Sequence, residues 1–228
     1  MTINYIKQQN PDLIFLVGDI IDDIIPEAGA HLFFQGIKEI APAYYVTGNH
    51  EYWSGEIDRL REMVTSYGVT ILSDNYEIIR VHGQEILLAG VEDPAKRRYE
   101  MPLYDYVGSM ERAFSPLRED DTLKILLAHR PEWIETYLGY PFDLVISGHA
   151  HGGQVRIPLL ASNGLYAPNQ GLFPSYTGGR YEHGAVVHIV SRGLAVYKER
   201  PRIYNRPELV VIKINNNIIS SYLSKMNK

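Results

Sequence analysis

Two histidines stand one residue apart in Gly148-His149-Ala150-His151-Gly152-Gly153, directly after the apolar run Leu144-Val145-Ile146. On an extended backbone, residues i and i+2 point the same way. Both imidazoles are therefore expected to reach one point beyond the end of a strand, with glycines on either side leaving room for close approach. Three more polar clusters follow apolar runs in the same manner: Gly18-Asp19 after Leu13–Val17, Gly48-Asn49-His50-Glu51 after Tyr44-Tyr45-Val46, and His129 after Leu123–Ala128. In open α/β sheets, sites form at the carboxyl ends of strands. A donor set of Asp, Asn and His suits Mn, Fe or Zn rather than an Fe–S cluster or Cu(I). A carboxylate can also bridge two cations about 3.5–4 Å apart, as in two-metal hydrolases.

The elements that must position these residues follow from the pattern of apolar positions. Leu13–Val17 reads as a strand buried on both faces. Helices are expected at Thr2–Gln9, Ala30–Ile40, around Ile57, Leu60, Val64 and Tyr67, at Tyr104–Phe114, and near Pro131–Leu138. Strands are expected at Tyr44–Val46, Val69–Leu72, Glu77–Val81, Glu85–Ala89 and Leu123–Ala128, and in the run leading to His149. The stretch Lys96–Pro102 reads as a charged loop, with Lys96-Arg97-Arg98 solvated. Beyond Val155, strand-like pieces at Ala185–Val190, Leu194–Lys198, Leu209–Ile214 and Ile218–Leu223 alternate with Gly, Pro and Asn turns, Asn215-Asn216-Asn217 among them. Strands alternating with helices, then a run of strands, indicate an α/β domain with a mixed sheet.

Composition narrows the classes. The chain has 228 residues, 45% of them hydrophobic and 21% charged, which describes one large globular domain over residues 1–228 with a sizeable core. Its formal net charge of −5 argues against broad capture of nucleic acid. With no cysteine, thiolate nucleophiles and cysteine-ligated zinc are excluded. No apolar run reaches the roughly 18 residues of a membrane span, and the start has no basic-then-apolar leader pattern. As written, the chain is expected to be cytoplasmic. There is no Gly-x-Ser-x-Gly elbow and no Gly-x-x-x-x-Gly-Lys loop, which sets aside serine hydrolases and nucleoside triphosphatases.

The blocks Gly18-Asp19-Ile20-Ile21-Asp22, Gly48-Asn49-His50-Glu51, the single His129 and Gly148-His149-Ala150-His151, in this order and spacing, resemble the calcineurin-like metallophosphoesterases. Gly152-Gly153-Gln154-Val155, Ala167-Pro168-Asn169-Gln170-Gly171, Ser191-Arg192-Gly193-Leu194 and Asn205-Arg206-Pro207-Glu208 are similar to a bacterial phosphodiesterase subgroup often tethered to the membrane. The resemblance implies a four-layer αββα sandwich of two mixed sheets. It also implies a phosphodiesterase or pyrophosphatase in which a hydroxide held between two divalent ions (Mn, Fe or Zn) attacks phosphorus. Asp19 would bridge the metals, Asn49, His129 and His149 would complete one shell, and His151 would serve the other. His50 would stabilise charge or protonate the leaving oxygen, with Asp22 orienting it. The substrate would be a small phosphate ester or a lipid head group.

One block of that pattern is missing. No Asp-x-His precedes Gly18-Asp19, because residues 1–18 contain no histidine. The first metal shell then retains Asp19 and His151 alone, and one held ion in place of two is open. Three accounts stand: a fragment lacking a first strand, and with it an upstream membrane anchor; replacement of the lost ligands by other residues; or a non-catalytic homologue that binds phosphate ligands or a partner. A phosphomonoesterase is the rival among enzymes.

Overall fold

Thr2–Gln9 forms the first helix, α1, which stops at Asn10 in a left-handed conformation ahead of Pro11. The computed structural model describes residues 2–157, 159, 162–196, 201–215 and 218–224. The chain divides into two units, Met1–His129 and Arg130–Lys228.

In the first unit the apolar run becomes β1 (Ile14–Val17), followed by α2 (Ala28–Ile37) and β2 (Ala43–Val46). β1 and β2 are parallel, in register from Ile14↔Ala43 to Val17↔Val46. The short α3 (Asn49–Trp53) and α4 (Ile57–Ser66) lead to β3 (Thr70–Ile71), which pairs with β2. Ile57, Leu60 and Val64 form the buried stripe of α4, and Gly68 ends it with φ +78. β4 (Asn75–Val81) and β5 (Gln84–Val91) make a hairpin. Its turn residues His82 and Gly83 both have positive φ, the backbone that a two-residue hairpin requires. After α5 (Lys96–Tyr99) and α6 (Tyr106–Phe114), β6 (Leu123–Ala128) joins β5 in parallel. Every residue of β6 is buried, Lys124 included, whose Nζ donates to Asp120 Oδ1 at 2.6 Å and to the Thr122 carbonyl at 3.0 Å.

The β1-β2-β3 sheet packs on β5 and β6. The contact is close: a Cβ on Gly90 would come within 2.7 Å of the Val46 side chain. Apolar faces of two sheets thus form one core, with Val46, Leu72, Leu88 and Leu127, the last paired with Gly90, inside it.

The second unit opens with a 3₁₀ turn (Pro131–Trp133) and α7 (Ile134–Tyr137), then β7 (Leu144–Ser147). β8 (Tyr166–Ala167) and β9 (Gly171–Leu172) form a small hairpin. β10 (Gly179–His183) runs antiparallel to β11 (Val186–Val190), and β11 runs parallel to β7. β12 (Leu209–Asn215) and β13 (Ile218–Ser224) make a separate ladder.

Mixed α/β architecture is as expected. Three local expectations are corrected. The stretch expected as a charged loop starts as α5, because Lys96 and Arg97 close turns onto the carbonyls of Asp93 and Pro94. Lys96 also lies over the Tyr104 ring at 5.1 Å. Residues 194–196 of the expected strand Leu194–Lys198 are not extended in a ladder. The Glu208 carboxylate takes the Arg192 N–H at 3.1 Å and Gly193 turns the chain with φ +72. Lys198, like Asn216 and Asn217 of the expected turn, lies outside the described residues. β10 is a strand that the apolar pattern does not announce, in a stretch read as loop-rich; its outward Arg180 and Glu182, paired at 2.9 Å, mask the alternation. Among the described residues, no helix is long and apolar enough to cross a membrane.

Candidate metal centre

In the first unit, the ends of β1, β2 and β6 deliver the expected side chains to one place. His129 follows β6, and its Nδ1 lies 2.7 Å from the Val17 carbonyl at the end of β1. A carbonyl can only accept, so Nδ1 carries the proton and Nε2 of the neutral ring presents its lone pair. That Nε2 lies 3.1 Å from Asp19 Oδ2 and 3.3 Å from Asn49 Oδ1. One nitrogen and two oxygens thus turn lone pairs toward one another, with His129 and Asn49 nearly fully buried. A proton on Nε2 or a cation satisfies such a cluster. The N/O donor set with a single formal charge fits a divalent ion of the Mn, Fe or Zn kind. A backbone carbonyl behind the ring, as Val17 supplies here, is the kind of outer partner that orients an imidazole able to bind a metal.

Two glycines make this approach feasible. Gly18 has φ +81, and a Cβ there would fall 2.4 Å from His129 Nδ1. A Cβ on Gly48 would fall 2.2 Å from Asp19 Oδ1. Asp19 itself is left-handed at φ +54, a conformation that Asp tolerates better than most residues.

Glu51 holds these two loops together. Its Oε2 accepts the N–H of Asp19 at 3.0 Å and of Gly48 at 2.8 Å, and its Oε1 accepts those of Ile20 at 2.8 Å and Ile21 at 3.0 Å. As the third residue of α3 it caps that helix through Gly48. Burial, and then the neighbouring Asp19 carboxylate, push its carboxyl up; the backbone donors oppose them.

His50 stands beside this cluster. Its N–H donates to Asp19 Oδ1 at 3.0 Å, and its ring packs on Trp53 with centroids 4.8 Å apart. Asp23 Oδ1 is the hydrogen-bond partner of His50 Nδ1, at 2.5 Å. Asp22 Oδ2 is 3.6 Å away, while its Oδ1 accepts the N–H groups of Ile24 and Ile25 at 2.8 and 2.9 Å.

In the second unit, His149 and His151 both leave the extended conformation, with φ +61 and +49. The chain turns at once after β7, the Ala150 N–H bonding the Gly148 carbonyl at 2.6 Å. The i, i+2 geometry expected of a strand therefore does not position them. His149 Nε2 lies 3.0 Å from Arg130 Nη1 and 2.9 Å from Asn169 Oδ1, and Arg130 also donates to Asn169. The His151 segment is fixed instead by Asn205, whose Nδ2 donates to the carbonyls of His151 at 2.7 Å and Gln154 at 3.1 Å. A Cβ on Gly152 would fall 2.1 Å from Asn205 Oδ1, so this packing needs glycine.

Residues 1–153 match the family model described as calcineurin-like phosphoesterase. The chain belongs to that family. This calcineurin-like phosphoesterase is 29% identical to the uncharacterized metallophosphoesterase YkuE of Bacillus subtilis, over 92% of its own length and 70% of that protein. It is 27% identical to the phosphodiesterase YaeI of Escherichia coli, over 91% of its length and 72% of that protein. Against an uncharacterized metallophosphoesterase of Helicobacter pylori it is 29% identical and spans 54% of that protein. A 28% identical Danio rerio relative is called a transmembrane protein with metallophosphoesterase domain; the match spans 46% of it. In fold it is similar to the NAD nucleotidase of Haemophilus influenzae, with a TM-score of 0.53 at 17% identity over 98% of this chain and 42% of that one. The chemistry of the family is metal-dependent hydrolysis of phosphate esters.

Sequence reasoning missed four polar residues in this phosphoesterase. Glu51 was visible as part of its motif but not as the clamp of two loops. Asp23 was overshadowed by the motif residue Asp22. Arg130 and Asn169 flank His149, and Asn169 shows in the sequence only within a stretch similar to the subgroup.

Proposed function

We propose that this chain is a phosphodiesterase whose metal ligands include Asp19, Asn49 and His129, with His149 and His151 carried as the ligands that the motif resemblance adds. The supporting observation is the convergence of Asp19 Oδ2 and Asn49 Oδ1 on His129 Nε2 within 3.3 Å, with the imidazole oriented by the Val17 carbonyl. Divalent ions, when bound, supply Lewis-acid activation of water and neutralise charge on phosphoryl oxygens. Asn49 adds no negative charge, which favours an anionic substrate. In this reading His50 holds a proton for the leaving oxygen, and its hydrogen bond to Asp23 supports that role. The diester preference draws on the relative named a phosphodiesterase.

The test is elemental analysis of the purified chain after Mn²⁺ loading and desalting, together with rates on bis(p-nitrophenyl) phosphate and p-nitrophenyl phosphate. Bound metal with faster diester cleavage is expected. Faster monoester cleavage would replace the diester reading with a phosphomonoesterase. A chain that neither retains metal nor turns over either ester would overturn the assignment.

A further inference from the structure

The second unit carries a run of large apolar side chains that its own core leaves in water. Four segments are hydrogen-bonded in series. The Arg156 N–H bonds the Ile203 carbonyl at 2.9 Å, the Leu165 N–H bonds the Val155 carbonyl at 2.8 Å, and the Phe173 N–H bonds the Leu165 carbonyl at 3.0 Å. Tyr166 pairs with Leu172, so these two side chains share a face of the β8–β9 hairpin, while Ala167 on the opposite face is fully buried. On these segments Leu172, Phe173 and Tyr204 are 72–77% exposed, and Ile157, Tyr166 and Ile203 are more than a third exposed.

Exposure alone would be unremarked for any one of them. Two further observations give the group a direction. Phe173 and Tyr204 are held at φ +54 and +48, a left-handed backbone that bulky side chains rarely adopt. The fold thus bears both a strained backbone and an apolar side chain in water at the same two positions, a combination expected of sites kept for contact. Charge supplies the second direction. The second unit has eleven Lys and Arg against six Asp and Glu, whereas the first has eleven against twenty-one. Arg206, exposed, follows Ile203-Tyr204 at two residues' distance.

We propose that this platform docks on an anionic lipid surface, with Leu172, Phe173 and Tyr204 entering the headgroup boundary and the exposed Arg206 facing anionic headgroups. Aromatic and aliphatic tips beside guanidinium groups are the side chains that partition to that boundary. An acidic bilayer complements the basic unit. The inference stands independently of the metal chemistry.

The test is vesicle flotation of the full chain, with light scattering of the free protein. Phosphatidylglycerol vesicles should carry the chain upward, and phosphatidylcholine vesicles should not. Arg206→Gln should weaken binding about fivefold, and added salt should weaken it further. Phe173→Asn with Tyr204→Asn should weaken it by about tenfold or more, because Asn accepts the same backbone but offers nothing apolar. Circular dichroism checks that this variant is folded; Leu172→Ser, with an ordinary backbone, provides the same reading if it is not. Absence of flotation, equal binding to both vesicle types, or binding unchanged by these variants would overturn the proposal. So would a dimer in light scattering that the Asn variant abolishes, since the platform would then be covered by a second copy of this chain.

Discussion

The Glu51 carboxylate accepts the backbone N–H of Asp19 at 3.0 Å, so one buried acid fixes the main chain from which the other projects. The same carboxylate also holds Gly48, Ile20 and Ile21, and therefore sets where Asp19 and Asn49 meet His129. A glutamine in its place keeps one acceptor oxygen and turns an N–H₂ toward backbone donors. Glu51→Gln is expected to cost about 2–3 kcal/mol of stability, the scale for stranding buried polar groups, and to weaken metal binding. Urea denaturation and metal titration check this together. Wild-type values for both would remove Glu51 as the clamp.

Gly48 tests the same geometry without touching a charge. An added Cβ would sit 2.2 Å from Asp19 Oδ1, so the carboxylate must move. Gly48→Ala should lower affinity for Mn²⁺ by about 10–100-fold, the usual effect of disturbing groups that orient ligands. Calorimetric titration reads it directly. Affinity within error of wild type would mean that Asp19 is not a ligand.

Much of this site was legible because its strands are. Leu123–Ala128 is buried on both faces, whereas β1 alternates buried Ile14 and Leu16 with half-buried Phe15 and Val17, so the expectation of burial on both faces does not hold for Leu13–Val17. Both still announce themselves as mainly apolar runs whose ends are sharp. The polar residue after each end is then conspicuous. What was not legible is geometry set by turns. His149 and His151 were expected to share one side of an extended chain, but both adopt positive φ, and nothing in His-Ala-His specifies that. Asp22 and Asp23 are adjacent and chemically equal, so only the turn that bonds Asp22 to Ile24 and Ile25 assigns Asp23 to His50. Arg180 and Glu182 hid β10 because an exposed face of a strand carries no apolar signal.

That distinction between neighbouring acids can be measured. Under the proposed function, His50→Ala should leave bound metal unchanged and reduce turnover by roughly 10²–10⁴-fold, the contribution usual for a general acid–base residue. Asp23→Asn should lower kcat in the same direction without loss of metal. Asp22→Asn should have the smaller effect, because an amide oxygen still accepts from Ile24 and Ile25. A larger loss in Asp22→Asn than in Asp23→Asn would reverse the assignment.

His188 gives the second unit a pH dependence of its own. It lies fully buried on β11, opposite Tyr181, with the rings of Tyr176 and His183 within 6.0 Å. Its Nε2 is 3.2 Å from Ser147 Oγ. Burial, and then repulsion from His183, depress its pKa from 6.5 to about 3. The folded state thus keeps the ring neutral where the unfolded chain would protonate it. Between those two values the unfolded state binds the extra proton, so stability is full above pH 6.5 and falls as the pH drops toward 3. The slope is about 1.4 kcal/mol per pH unit for one such group. His188→Phe keeps a ring in the same space and removes the titration, at a cost of about 1 kcal/mol at neutral pH for the lost Ser147 bond. Urea denaturation at stepped pH should therefore show the wild type losing stability below pH 6.5 more steeply than the variant. Parallel slopes would mean that the acid sensitivity arises elsewhere, because no other change in the variant alters the number of protons taken up on unfolding.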